Sequence, residues 1–299
     1  MKYLVFGSLN IDKVYSLKHL PERGETLTCS NYEIHVGGKG LNQAIALGKA
    51  GADVCMAGQI GKDGQFLADY LKESGVNTEL LNVTDGFTGH AVIEVDIDGQ
   101  NQMILFPGAN REITAEYCDK ILENFSEGDL VLMQYETSQV EYMLEAAHEK
   151  GMKIALNPSP FTEELKSFDY SNVDYLILNE SEAQGIADTD DIDNAAEILL
   201  EKLCGGALIL TLGADGAIYA DGKTYTKVPA FKVNAVDTTG AGDTFTGYCL
   251  TALLSGYDAE SALKTASAAS AVVVTKPGAA ETIPDRKAVE EFLKKVNNS

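Results

Sequence analysis

The stretch LVLMQYETSQVEYMLEAAHEKGMKIALN, Leu130 to Asn157, contains the repeating unit of the fold. Its ends, LVLMQ at 130–134 and KIALN at 153–157, are apolar without alternation, the pattern of strands buried on both faces. Between them, residues 138–150 read as an amphipathic helix. Strand, helix and strand in this order build a parallel sheet with helices over both faces. Similar apolar runs recur at 2–7 (KYLVFG), 175–179 (YLILN) and 207–213 (ALILTLG), with a further amphipathic helix at 63–74. The expected class is α/β, with ligands bound beyond the C-terminal ends of the strands.

Two segments break the rhythm: ETLTCSNYEIHV at 25–36 and HAVIEVDIDGQNQMILF at 90–106, whose Asp98-Gly99 is a hairpin-turn signal. Both read as extra strands forming a small β-lid inserted in the N-terminal half. No Pro/Ser-rich linker, repeat or low-complexity tract divides the chain, so residues 1–299 are expected to form one unit.

With 299 residues, 45% of them hydrophobic, the chain is long enough for a large core. Its 45 acidic and 23 basic residues leave a formal charge of −22, which opposes binding to nucleic acid or an anionic membrane through the general surface. A phosphate site must then be local, made of backbone amides and a few cations. Cys29, Cys55, Cys118, Cys204 and Cys249 are scattered and form no C-x-x-C pair, so neither a disulfide framework nor a zinc site is expected. MKYLVFGSLNID turns polar too soon for a signal peptide, and no apolar run has membrane-spanning length; a cytoplasmic protein is expected.

Three polar stretches stand out against this frame. VDTTGAGDTF, 236–245, places Asp243 in a small-residue turn before a helix marked by Phe245, Tyr248, Cys249, Ala252 and Leu253, with Gly256 as its stop. Such a helix start presents unpaired N–H groups to an anion, though Asp is also a common capping residue. VGGKGLNQAIALGKAG surrounds Lys39 with glycines and leads into a helix bearing Asn42, a combination suited to a polyhydroxylated ligand. GSLNID sets Asn10 and Asp12 just past the first strand. The four histidines are dispersed, and no Walker A loop is present: GAIYADGKT, 216–224, has one residue too many between its glycines and reads as a β-hairpin.

Taken in order along the chain, GSLNID, GGKGLNQA, PGAN, MQYE, LNPSP, NESE, TLGADGA and DTTGAGDTFTG resemble the motifs of the ribokinase-like (PfkB-type) family of sugar and nucleoside kinases. The resemblance covers essentially the whole chain. It implies a three-layer αβα fold with a central, mostly parallel sheet and an inserted β-sheet lid formed by segments of about 12–36 and 88–106. It implies ATP-dependent phosphorylation with Asp243 as catalytic base and Gly240, Ala241 and Gly242 as the anion hole. Asn179 and Glu182 would organise Mg²⁺ and phosphate through water, and Thr211, Gly213 and Gly242 would meet the nucleotide. Ser267 stands beside the adenine position, where relatives often carry a larger polar residue. Asp237, with carbonyls of Thr239, Val273, Lys276 and Gly278 and the Thr282 hydroxyl, would form a K⁺ cage.

The sugar-reading set implied by the family is Asn10, Asp12, Gly38, Lys39, Asn42, Glu136 and Asp243, with Ala91 nearby. All seven residue types match, which implies D-ribose as substrate and transfer to its hydroxymethyl oxygen. A homodimer through the lid is also implied, with Leu105 reaching the neighbour's sugar pocket. Leu41 and His90 depart from the usual small residues, which leaves deoxyribose, a ketohexose or a nucleoside as alternatives. A non-catalytic sugar-binding regulator on the same fold is the competing class.

Overall fold

A computed structural model describes residues 1–297 of the chain. The first half runs β1 (Tyr3–Phe6), β2 (Asn10–Ser16), β3 (Asn31–Gly37), α1 (Lys39–Ala50), β4 (Val54–Gly61), α2 (Gln65–Glu73), β5 (Leu81–Thr84), β6 (Gly89–Val95), β7 (Asn101–Phe106) and α3 (Ala115–Leu122). It continues through β8 (Leu130–Gln134), α4 (Val140–Glu149), β9 (Lys153–Asn157), β10 (Tyr175–Asn179), α5 (Glu180–Ala187), α6 (Ile192–Lys202) and β11 (Ala207–Thr211). The hairpin β12 (Ala217–Ala220) and β13 (Tyr225–Val228) precedes α7 (Ala241–Leu254), α8 (Ala259–Val273) and α9 (Arg286–Asn297).

The large sheet has the order β13-β12-β11-β10-β9-β8-β1-β4-β5 and is parallel from β11 to β5; β12 and β13 add an antiparallel edge. Alternate residues of each buried strand enter two cores. Tyr3 and Val5 pack with α1, α2, α7 and α8, whereas Leu4 and Phe6 pack with α3, α4, α5 and α6. The non-alternating apolar strands are thus explained: both faces are covered. The αβα layering agrees with the expected class.

The lid is a second sheet of order β3-β2-β6-β7. Its β6–β7 hairpin turns at Gly99, in the left-handed region with φ 78°, as the Asp98-Gly99 signal requires. Residues 25–30 do not join it: strand β3 begins at Asn31, shorter than the expected 25–36 run. The 207–213 run likewise ends as a strand at Thr211, because Gly213 turns left-handed with φ 55°. GAIYADGKT is the β12–β13 hairpin.

Helix α7 is buried from Asp243 to Thr251 and on to Ala252, so it is an internal helix between α1 and α8 rather than a surface one. Its contact with α1 is close. A Cβ added at Gly247 would lie 2.5 Å from the Ala46 Cβ and 2.7 Å from the Leu47 nitrogen. The start of α1 is pressed equally tightly on the end of β1, where a Cβ on Gly40 would fall 2.6 Å from both the Gly7 carbonyl carbon and the Ser8 nitrogen. Both helix N-termini are thereby brought to the C-terminal edge of the sheet.

Candidate functional site

At that edge lies a cavity of about 230 Å³, whose walls include Lys39, Asn157, Asn179, Glu182, Thr211 and Asp243, with Gly240 and Gly242 at one end. A larger cavity, about 500 Å³ between β5 and α3, holds none of the residues expected from the sequence. The smaller one is the candidate site on chemical grounds, because charged side chains and a helix start converge in it.

Gly240, left-handed with φ 74°, caps α7 without any side chain bonded to the helix end. The Gly242 and Asp243 N–H groups have no backbone acceptor, and a Cβ on Gly242 would meet nothing within 4 Å. This is an open, positive helix end able to hold an anion. Asp243 does not cap the helix. Its carboxylate, 8% exposed, is gripped from α1: Asn42 Nδ2 donates to Oδ2 at 3.1 Å and Gln43 Nε2 donates to Oδ1 at 2.8 Å.

Beside Asp243 stands a group of acids around one ammonium. Glu136 Oε2 accepts from the Ser8 hydroxyl and from the Lys39 N–H at 3.3 Å. Burial lifts the Glu136 pKa above the ordinary carboxylate value, against the opposing pull of the Ser8 hydrogen bond and the Lys39 charge. For Lys39, burial works against the charged form, but Asp243, Glu136 and Glu182 outweigh it and raise its pKa. Asp12, paired with His35 and Ala91 in the lid, is pushed up to about 7 by burial, then by Glu136 and Glu281, with His35 acting the other way. Asn10 is buried, its Oδ1 accepting from Asn110 Nδ2 at 2.8 Å. Gly38, with φ 96°, lies so close to Ser8 and Asn10 that a Cβ would fall 2.8 Å from the Ser8 oxygen.

Asn179 and Glu182 form a capping box on α5: the Glu182 N–H donates to Asn179 Oδ1 at 2.8 Å, and the Asn179 N–H donates to Glu182 Oε2 at 3.0 Å. Capping and cavity-lining are therefore served by the same pair. Thr211 lines the cavity; Gly213 and Ser267 do not, and Ser267 is buried in α8. Asp237 ties the loop before α7 to the one after α8, accepting from the Thr239 N–H at 2.9 Å and the Gly278 N–H at 2.9 Å. Those bonds hold its pKa below the ordinary value although burial acts against them. Nearby, the Lys276 N–H donates to the Val273 carbonyl at 3.1 Å, and the Thr282 hydroxyl donates to the Gly278 carbonyl at 3.0 Å. Ala241 is tied to α8 by the Ser270 hydroxyl at 2.9 Å.

Ala91 is buried against Asp12, but its cross-strand partner Leu105 is 48% exposed on the outer lid strand. Leu41 is a core residue with no exposure, so its departure from a small residue is a matter of packing. His90 stacks on Phe106 with ring centroids 5.0 Å apart and Nδ1 3.3 Å from the Thr88 carbonyl oxygen. Strand alternation sets it on the opposite lid face from Ala91. The sequence reading singled out neither Ser8 and Gln43, which hold Glu136 and Asp243, nor Gln134 and Asn157, which hold Gln43. Their signal was a polar residue closing each apolar strand, as in LVLMQ and KIALN.

The chain is similar to known proteins in sequence and in fold. The model of the pfkB family of carbohydrate kinases matches residues 2–286. The ribokinase of Haemophilus influenzae is 36% identical, the match covering 97% of each chain. The crystal structure of ribokinase from Thermotoga maritima superposes with a TM-score of 0.89 at 34% identity, covering 98% of this chain and 99% of that one. The Arabidopsis thaliana ribokinase solved with ribose and ATP gives a TM-score of 0.85 at 28% identity, covering 98% of each chain.

The Asp12 shift has a consequence for stability. Its pKa in the fold, about 7, lies above the 3.8 of a free side chain, so folding favours its protonated form. That contribution is complete below about pH 4 and is lost as the pH rises through about 7. Asp12→Asn should therefore gain stability relative to wild type between about pH 5 and about pH 8 in urea unfolding of the free protein. An unchanged difference at the two pH values would mean that Asp12 ionises as freely as a surface acid.

Proposed function

The chain belongs to the pfkB family of carbohydrate kinases, and on that premise we propose that it transfers the γ-phosphoryl group of ATP to the hydroxymethyl oxygen of D-ribose, giving ribose 5-phosphate. The observation that carries this reading is the Asp243 carboxylate, held by two carboxamides beside the open N-terminus of α7. In the reaction Asp243 accepts the proton of the attacking hydroxyl, and the neighbouring N–H groups of Gly240 and Gly242 hold the negative charge of the phosphoryl group in transit, whereas the Ala241 N–H is given to the Thr238 carbonyl at 3.2 Å. Asp12 and Glu136 accept from sugar hydroxyls, and Asn10, Asn42, Lys39 and the Gly38 backbone complete the grip. Three carboxylates around Lys39, with Asp12 beside Glu136, suit a neutral ligand rich in O–H donors. The phosphates and base of ATP extend past Thr211 toward Gly213 and Ser267.

Glu182 has committed Oε2 to its capping box, and Oε1 remains for a hydrated cation; with Asn179 it would hold Mg²⁺ through water. Mg²⁺ supplies neutralisation of phosphate charge. The oxygens of Asp237, Thr239, Val273, Lys276, Gly278 and Thr282 would hold K⁺, and an all-oxygen set suits that cation. Its place in the reading is to stiffen the turn that carries the anion hole. No helix among the described residues is long and apolar enough to cross a membrane; the enzyme works in the cytoplasm, where ATP is at hand. Met103, Ile104, Leu105 and Phe106, each 45% exposed or more, form an apolar outer strand of the lid. A homodimer joined lid to lid covers them.

ADP release measured over pentoses, ketohexoses and nucleosides should be fastest with D-ribose; a preference for deoxyribose or a nucleoside would replace the substrate, and no turnover at all would favour a sugar-binding regulator. Asp243→Asn should lower kcat at least ~10²-fold while leaving ATP affinity and Tm near wild type. Near-normal turnover in that variant would sink the base assignment. Potassium should raise the rate well above that in sodium, and Asp237→Ala should abolish the difference. Sedimentation should show a dimer that Leu105→Asp splits; a fully active wild-type monomer would remove the lid interface.

A further inference from the structure

We propose that Gln43 is a positioning residue for phosphoryl transfer: a chain of buried amides anchored on the backbone fixes its carboxamide so that it holds the Asp243 carboxylate ready to accept the sugar's proton. The inference rests on the reading of Asp243 as base.

The chain of hydrogen bonds fixes its own direction. Asn157 Nδ2 donates to the Ile177 carbonyl at 2.9 Å, which turns Asn157 Oδ1 toward Gln43. Gln43 Nε2 donates to that oxygen at 2.9 Å and, with its second hydrogen, to Asp243 Oδ1 at 2.8 Å. Gln43 Oε1 accepts from Gln134 Nε2 at 2.6 Å. Reversing the Gln43 amide would set its oxygen against two other oxygens. A backbone carbonyl of β10 thus dictates, through Asn157, which end of Gln43 faces the acid.

Burial makes the arrangement exclusive. Gln43 and Gln134 have no exposure and Asn157 has 8%, so bulk water does not stand in for a missing amide. Room has been made for it: a Cβ on Gly7 would lie 2.1 Å from Gln134 Oε1, an oxygen that has no partner of its own. An apolar side chain on the helix and on each strand end would pack there without unpaired groups. The amides come from α1, β8 and β9, so the orientation of Asp243 is referred to three elements besides its own helix.

Other charges face the site from neighbouring elements: Lys39 from the start of α1 and Glu136 from the segment after β8 act on Asp243, Glu182 of α5 acts on Lys39, and Asp12 of the lid faces Glu136. All remain in a Gln43 variant, so a change in the acidic limb of the rate reports the lost N–H.

The test is the pH profile of single-turnover phosphoryl transfer at saturating sugar. Losing a donor to the ionised form raises a carboxylate pKa, so Gln43→Met should move the acidic limb up by about one pH unit. The rate near neutrality should fall by about tenfold, with the KM for ATP unchanged. Gln43→Glu, which turns an acceptor toward Asp243, should move the limb further in the same direction. A lowered Tm with the limb unmoved would make the amides a folding device only and overturn the proposal. Should Gln43→Met fail to fold, Gln134→Met frees the same carboxamide from its anchor: a smaller upward shift supports the proposal, an unmoved limb overturns it. Asp243→Asn separates the two levels. If it is inactive while the limb stays fixed in the Gln43 variants, only the positioning role falls; if it is active, the base itself falls.

Discussion

The close crossing of α1 over α7 is the constraint on which the site depends. It is possible because position 247 has no side chain and position 46 has only a methyl group. At that spacing, carboxamides near the start of one helix reach a carboxylate in the first turn of the other. One methyl group between the helices would have to push them apart or bend them, since packed interiors have little slack. Asn42, Gln43 and Asp243 would then no longer meet. The glycines of GGKGLNQA play the corresponding part against β1, where Gly40 fits onto Gly7 and Ser8. Small residues in these motifs serve backbone approach first, and ligand access follows from it.

A second tension is electrostatic. The chain carries a formal charge of −22 and concentrates further acids around Lys39, yet a phosphate-transfer site must hold anions. The geometry divides the work between two kinds of group. Carboxylates gather around Lys39, whereas the uncharged N–H groups of Gly242 and Asp243 stand open at the α7 start. Asp12 shows the cost of this crowding, since burial raises its pKa first and the repulsion of Glu136 adds to that. A neutral, donor-rich ligand relieves that repulsion without bringing in new charge.

Much of this was legible in residue order. The Leu130–Asn157 unit reads correctly because its strands are apolar throughout and its helix is amphipathic, and the lid hairpin declares itself through Asp98-Gly99. Asp243 and Lys39 stand out because glycines surround them. Strand β4 was less visible, since VCMAGQIG is interrupted by glycines and a glutamine. Gln43, Gln134 and Asn157 were hidden for a different reason. Each is a lone polar residue beside an apolar run, indistinguishable in one dimension from a surface position or a cap. What makes them a network is the adjacency of β8, β9 and β10 under α1, which separations of 91 and 114 residues do not reveal.

The place of β1 has a consequence for how the chain acquires its shape. The strand precedes both of its partners in the chain, but it lies inside the sheet between β4 and β8, whose residues 54–57 and 130–133 supply its two neighbours. Its apolar side chains therefore wait for more than a hundred residues before both edges are paired. Closing so long a loop is slow relative to local contacts. In the meantime a short, very apolar strand with an open edge is the segment most exposed to wrong pairing. Until β8 joins, β1 keeps one edge unpaired, and that open edge is what long-range closure removes.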